Sequence, residues 1–73
     1  MLRINENVFF NRPYWIFNKD KIVEVSIPEG TKGKVLGYTD CFGEMTYNLE
    51  LFNHETNKYV DGIFREVLNK DSK

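Results

Sequence analysis

The stretch MTYNLELFN (residues 45–53) decides the fold class, because apolar and polar residues alternate along it more regularly than anywhere else in the chain. One side of an extended backbone would carry Met45, Tyr47, Leu49 and Leu51, and the other side would carry Thr46, Asn48 and Glu50. A period of two is typical of a β-strand with one buried face. The sequence therefore predicts a strand over residues 45–52 in which Tyr47, Leu49 and Leu51 are buried.

The residues that follow this strand predict a hairpin and then a change of structure. NHETNK (residues 53–58) consists of turn formers, so we expect residues 51–52 to pair with residues 59–60. Beyond that point the spacing of apolar residues fits one face of a helix, with Val60, Ile63, Phe64, Val67 and Leu68. Because glycine weakens a helix, we expect a strand through about Gly62, one or two helical turns, and a frayed tail over residues 69–73.

The residues that precede it predict a second strand and a tight turn. In IVEVSI (residues 22–27), the apolar residues Val23, Val25 and Ile27 share one face. Proline then removes a ladder donor and glycine accepts positive φ, so PEG (residues 28–30) would end this strand. We expect Gly30 or Gly33 to adopt positive φ, a short strand over residues 34–36, and an irregular stretch over YTDCFGE (residues 38–44).

The first 19 residues are rich in aromatic side chains. VFF (residues 8–10) and WIF (residues 15–17) indicate strands around a turn at residues 11–13, and NKDK (residues 18–21) would return the chain toward Ile22. Asn and Pro residues interrupt the segment, so it lacks both a signal peptide's apolar stretch and the ~20 apolar residues of a membrane span. We expect no membrane association.

Composition favours one small domain with an apolar core. The chain has 73 residues, of which 41% are apolar and 15% are aromatic, which is too rich for a disordered chain. Cys41 is the only cysteine and His54 the only histidine, so neither an internal disulfide nor a four-ligand zinc site is available. We expect no metal or cofactor, and a lone thiol favours a reducing, cytoplasmic location. An excess of Asn and Lys over Arg is typical of an AT-rich genome, such as that of a low-GC bacterium or a phage.

Short strands and tight turns in a chain of this length predict a mainly β fold, in the form of a small barrel of four or five strands. The segments DKIVEVSIPEGTKGKVLGY, TYNLELFN and YVDGIFREVL together resemble SH3-like barrels of the KOW type. The resemblance covers residues 20–68 and is carried by Gly30, Gly33, Val35, Tyr47, Leu49, Leu51 and Leu68. It implies a barrel over residues 20–68, with residues 1–19 packed against it in a single domain.

Three kinds of catalytic or phosphate site are disfavoured by the residues present. EGTKGK (residues 29–34) has glycines three residues apart before a strand, whereas a P-loop needs Gly-x-x-x-x-Gly-Lys-Ser/Thr before a helix. Cys41, His54 and Asp40 could form a nucleophile, a base and an orienting acid, but Cys41 also fits a small semi-buried thiol and His54 a turn histidine. Asp40 and Glu44 could act as paired carboxylates, but a barrel this small leaves little room for a substrate. We expect a protein that is not an enzyme.

Charge and aromatic residues fit two interpretations, a solvated acidic face with aromatic rings in the core and rim, or a contact surface. Residues 35–57 contain four acidic residues and no Lys or Arg, whereas residues 1–34 have a net charge of +2 and residues 58–73 of +1. We expect a non-enzymatic protein-interaction module, as in small bacterial or phage regulators and inhibitors, whose partner has a basic surface. Its predicted contact residues are Tyr14, Trp15, Tyr38, Asp40, Phe42, Glu44 and Glu55. The alternative is a nucleic-acid-binding KOW-like module, and it would use Arg12, Lys19, Lys21, Lys32 and Lys34.

Overall fold

The chain folds into two antiparallel β-sheets. The computed structural model describes residues 1–52, 54 and 58–71, and strands account for 60% of the structure. The strands are β1 (Asn7–Phe10), β2 (Tyr14–Phe17), β3 (Val23–Ile27), β4 (Lys32–Cys41), β5 (Glu44–Leu51), β6 (Tyr59–Phe64) and β7 (Leu68–Lys70). The prediction of a mainly β fold is confirmed.

The larger sheet is strongly curled. Its strand order is β6-β5-β4-β1-β7, and a single 3-10 turn (Arg65–Val67) joins the two edge strands. A flat five-stranded sheet would separate its edges by about 19 Å, whereas the four residue steps from Phe64 to Leu68 span at most about 14 Å. The sheet must therefore bend. Among the described residues β6 does not pair with β7 and no sheet closes, so the predicted SH3-like barrel is not confirmed.

The core lies on one face of this curled sheet. The β2–β3 hairpin forms the second sheet and adds Val25 and Ile27 to the core, with Tyr14 and Ile16 packed partly against it. Leu2 is also fully buried. The larger sheet and the 3-10 turn supply the other core residues, which are Val8, Phe10, Val35, Tyr47, Leu49, Leu51, Val60, Ile63, Val67 and Leu68.

β5 matches the strand predicted from its alternation. Tyr47, Leu49 and Leu51 are buried, as predicted. Met45 shares their side but is exposed, and β6 runs alongside β5 only as far as Thr46. Thr46 itself is buried rather than solvated, and its hydroxyl donates to the Thr39 carbonyl at 2.8 Å.

Two regions differ from the predictions made for them. Residues 38–44 are not irregular, because β4 and β5 continue to a two-residue turn at Phe42 and Gly43. At the C-terminal end, β6 extends to Phe64, the helical part is one 3-10 turn, and residues 69 and 70 belong to β7 rather than to a frayed tail. Residues 72 and 73 lie outside the described residues. Within the described residues, no helix is long and apolar enough to cross a membrane.

The N-terminal segment belongs to the sheets themselves. β1 and β2 are strands, as predicted, but β1 pairs with β4 and β7, whereas β2 pairs with β3. The predicted turn at residues 18–21 is present: the Asn18 side chain accepts hydrogen bonds from the Asp20 and Ile22 amides. Residues 1–19 therefore complete the fold instead of packing on a finished barrel.

The two glycines of the β3–β4 connection have different roles. Gly30 adopts a φ of 87°, which confirms that one of the pair has positive φ. Gly33 is not in that region, but a Cβ placed on it would lie 2.6 Å from the Glu50 carbonyl oxygen. Close approach of β5 therefore requires glycine at position 33.

Candidate functional site

The tip of the β4–β5 hairpin presents an aromatic side chain to solvent. Cys41 pairs with Glu44, so Phe42 and Gly43 alone form the turn, with φ values of 53° and 86°. Two consecutive positive φ angles are typical of a type I′ turn, which favours Asn-Gly. Phe42 is fully exposed, at 104% of its reference area. A bulky residue thus occupies a strained position where it makes no contribution to the core.

Acidic side chains flank this ring on both strands. Asp40 pairs with Met45, and Glu44 directly follows the turn. Both carboxylates are exposed, and neither takes part in a salt bridge with the described residues. We define the hairpin tip as residues 40–44. It combines one apolar ring with two negative charges and an exposed thiol, Cys41.

Two tyrosines hold the base of the hairpin. The Tyr38 and Tyr47 rings meet edge to face, with centroids 5.5 Å apart and an interplanar angle of 73°. The Tyr38 hydroxyl donates to the Leu2 carbonyl at 2.6 Å, and the Leu2 amide donates to the Tyr47 hydroxyl at 3.2 Å. Tyr38, which the sequence suggested as a contact residue, is therefore half-buried and fixes the N-terminal segment.

The other aromatic candidates lie on the β2–β3 hairpin and point in opposite directions. Tyr14 is half-buried, with its ring centroid 5.9 Å from that of Phe10. Burial, together with the nearby Glu66 carboxylate, raises the pKa of the Tyr14 phenol. Trp15 is half-exposed on the opposite face of the hairpin.

Trp15 belongs to an apolar patch that sequence reasoning did not identify. We define the outer face of the β2–β3 hairpin as Trp15, Phe17, Ile22 and Val23, all substantially exposed. Val23 was predicted to share a buried face with Val25 and Ile27. The register shift between Ile16 and Phe17 instead places Val23 opposite Phe17. The extra residue is Glu24 of β3, and a bulge of this kind cannot be recognised from the alternation of apolar residues alone.

The proposed nucleic-acid residues are dispersed over the molecule. Lys32 lies 3.6 Å from Asp71, and Lys34 lies 4.0 Å from Glu50. Arg12 donates to the Glu66 carbonyl at 3.3 Å, beside the 3-10 turn. Lys19 and Lys21 lie in the β2–β3 turn. Lys32 and Lys34 thus have acidic partners, and the five cations belong to different elements, so nothing in the described residues supports one positive groove.

The suggested catalytic and phosphate-binding residues do not form a site. Cys41 lies at the hairpin tip, whereas His54 Nε2 lies 3.0 Å from the Ser26 carbonyl of β3. In the turn before β4, the Gly30 amide donates to the Phe10 carbonyl and the Thr31 amide donates to the Pro28 carbonyl. Neither amide is therefore available to a phosphate. Glu55 lies outside the described residues. Within them, no group of three His, Cys, Asp or Glu side chains could hold a metal ion.

The structure thus brings together three of the predicted contact residues, Asp40, Phe42 and Glu44, at the hairpin tip. It places Trp15 on a different hairpin and directs Tyr14 and Tyr38 toward the core. In comparisons with known proteins, no family model, no curated protein and no solved structure matches this chain.

Proposed function

We propose that the protein is a non-enzymatic protein-interaction module, and that the hairpin tip is its contact surface. The observation that carries this proposal is the full exposure of Phe42 at a residue with positive φ. Neither turn geometry nor core packing favours phenylalanine there, because Asn or Gly would relieve the strain and no apolar contact would be lost. Strained residues of this kind cluster at functional sites.

The chemistry of the tip specifies the partner. An exposed aromatic ring can anchor an interface by filling an apolar pocket. Asp40 and Glu44 flank the ring, so the pocket that fits best is bordered by Lys or Arg side chains. The partner is a protein with an apolar pocket in a basic surface.

The proposal also includes a more specific fold and a location. The curled sheet and the 3-10 turn that immediately precedes Leu68 support an open variant of the SH3-like barrel. The exposed thiol of Cys41 supports a reducing, cytoplasmic location.

The experiment is site-specific photo-crosslinking followed by kinetics. A photoreactive phenylalanine analogue at position 42 should capture the partner in extracts of the host, and the same analogue at position 17 on the β2–β3 hairpin is the matched control. With the captured partner purified, Phe42→Ala should raise the dissociation rate about tenfold or more, and Phe17→Ala should leave it unchanged.

Charge reversal separates this function from nucleic-acid binding. Asp40→Lys with Glu44→Lys should slow association with the basic partner and flatten its salt dependence. Two results would contradict the proposal. One is an association rate unaffected by the reversal, and the other is salt-steep binding of the wild type to single- or double-stranded nucleic acid, lost in Lys19→Ala or Lys32→Ala variants.

A further inference from the structure

The backbone of β4 has a free edge along the side of the hairpin that faces away from β5. β1 pairs with β4 only through Lys32, Gly33 and Lys34. The last backbone hydrogen bonds on this side join Val35 to Asn5 and Glu6, at 2.7 and 3.0 Å. Beyond Val35, no described residue outside β5 forms a backbone hydrogen bond with residues 36–41.

The hydrogen-bonding phase of the hairpin identifies which groups are free. In a two-residue hairpin the closing pair, here Cys41 and Glu44, is hydrogen-bonded, and the pairs then alternate. The next hydrogen-bonded pair is Thr39 with Thr46, which agrees with the Thr46 hydroxyl donating to the Thr39 carbonyl. Tyr38 and Asp40 therefore direct their N–H and C=O groups away from β5. These four groups form a regular ladder edge.

The two outer edges of the larger sheet are less suitable for an added strand. β6 is interrupted at Gly62, which has a φ of 72°, and the register of β6 with β5 shifts there. β7 has only three residues. The free edge of β4 has no register shift from position 37 to position 41 and leads directly to Phe42.

We propose that the edge over residues 38–41 captures an extended segment of the partner as an added β-strand, and that this segment carries Lys or Arg. The inference rests on the proposed function and specifies how the partner is bound. Main-chain hydrogen bonds to Tyr38 and Asp40 would supply affinity, as in other complexes formed by strand addition. The Asp40 and Glu44 carboxylates select a basic segment, since residues 35–57 contain no Lys or Arg.

A defined peptide tests the inference without knowledge of the partner. The probe is an eight-residue peptide of alternating Lys and Thr with blocked ends, and the same peptide with Glu in place of Lys is the control. Amide exchange measured by NMR should slow at least about tenfold at Tyr38 and Asp40 when the Lys peptide saturates the protein. The Glu peptide should produce no protection.

Two variants at one position separate backbone bonding from charge. Asp40→Asn removes the charge and keeps the N–H, whereas Asp40→Pro removes both. Because the Asp40 N–H points away from β5, proline should leave the β4–β5 ladder intact, and thermal melting of the variant checks this. We expect Asp40→Pro to weaken peptide binding about tenfold and Asp40→Asn about threefold or less.

Several results would overturn the inference. One is that Asp40→Pro and Asp40→Asn weaken peptide binding equally, and another is that the peptide protects amides of β6 or β7 from exchange instead of those of β4. The third such result is no detectable binding at about 1 mM peptide. Protection that rises with protein concentration in the absence of peptide would show that a second copy of the chain occupies the edge. The exchange results on the wild type do not depend on whether Asp40→Pro folds. If they fail while Phe42 still crosslinks a protein, the proposed function stands and only the mode of capture is wrong.

Discussion

Phe42 shows how a single residue can serve binding at the expense of stability. Left-handed backbone costs an L-residue about 1–2 kcal/mol, and a fully exposed ring recovers none of this by burial. Sequence reasoning named Phe42 as a contact residue, but it expected an irregular loop. Phe-Gly does not carry the Asn-Gly signal of a type I′ turn, so the strain at this position could not be predicted.

Replacing Phe42 should therefore stabilise the fold. We expect Phe42→Asn to raise the free energy of unfolding by about 1 kcal/mol, because Asn tolerates positive φ at a type I′ turn. Urea denaturation measures the change. Phe52→Asn is the control, since Phe52 is also exposed but has no positive φ, and this variant should show no gain. An unchanged or lowered stability of Phe42→Asn would show that the turn is not strained.

Position 33 requires glycine, but the reason differs from the one expected from the sequence. Glycine was expected there for its conformational freedom, but the constraint is the carbonyl of Glu50 on the neighbouring strand. Gly33→Ala should lower the free energy of unfolding by about 1–3 kcal/mol, as overpacking of a buried site does. Gly37→Ala on the same strand is the matched control. Its Cβ would lie 3.8 Å from the Asn48 side chain, so its effect should be small in the same denaturation assay.

The raised pKa of the Tyr14 phenol makes stability depend on alkaline pH. Burial of the phenol is the main cause, and Glu66 adds to it. The neutral phenol is favoured in the folded chain, so its contribution is complete below the ordinary pKa of 10.0 and is lost as pH rises through the folded value. As pH rises above 10.0, Tyr14→Phe should lose less stability than the wild type. Parallel losses in both proteins would contradict this.

At the scale of elements, local patterns were reliable where a strand buries one face over most of its length. β5 follows from its alternation, and the β2–β3 turn follows from its polar residues. The spacing of apolar residues in the C-terminal region wrongly suggested a helix face, because Gly62 interrupts β6 with a bulge. The bulge shifts the phase of the apolar residues, and a 3-10 turn follows, so a strand, a turn and a second strand together reproduce the spacing of a helix face.

β5 is the central test at this scale. Leu49 is fully buried at the middle of the strand, and Leu49→Ala should lower the free energy of unfolding by about 2–5 kcal/mol. Small domains have little stability to spare, so much of the protein would unfold at ambient temperature. Leu36→Ala is the control on β4, because Leu36 is 40% exposed and its truncation should change the denaturation midpoint much less than that of Leu49. Wild-type stability of Leu49→Ala would mean that the face of β5 is misassigned.

At the scale of the whole molecule, the order of the strands was not predictable from the sequence. Periodicity reports which face of a strand is buried but not which strand lies beside it. The position of β1 between β4 and β7 depends on pairing over long sequence separations. Leu2 was missed for the same reason, since its burial depends on Tyr38 and Tyr47, far along the chain. Of the candidate site, Asp40, Phe42 and Glu44 could be named, but not the free edge beside them.

Leu2 should contribute as much to stability as a residue at the centre of the chain. It is fully buried, and both its amide and its carbonyl bond to tyrosine hydroxyls. We expect Leu2→Ala to lower the free energy of unfolding by about 2–5 kcal/mol. The control is Ile4→Ala, two residues away and nearly half-exposed, which should have a much smaller effect on the thermal midpoint. Equal effects of the two substitutions would contradict a specific role for Leu2.

The position of β7 beside β1 also constrains how the protein is made. β1 contains residues 7–10, but the strand that covers its outer edge contains residues 68–70 and is synthesised much later than β1. A nascent chain on the ribosome therefore carries β1 with one unpaired side until residues 68–70 have emerged. Pairing between such distant segments is slow to form, since a long loop must close first. Chains released early by premature termination would lack this cover, so aggregation during synthesis should depend on whether translation reaches β7.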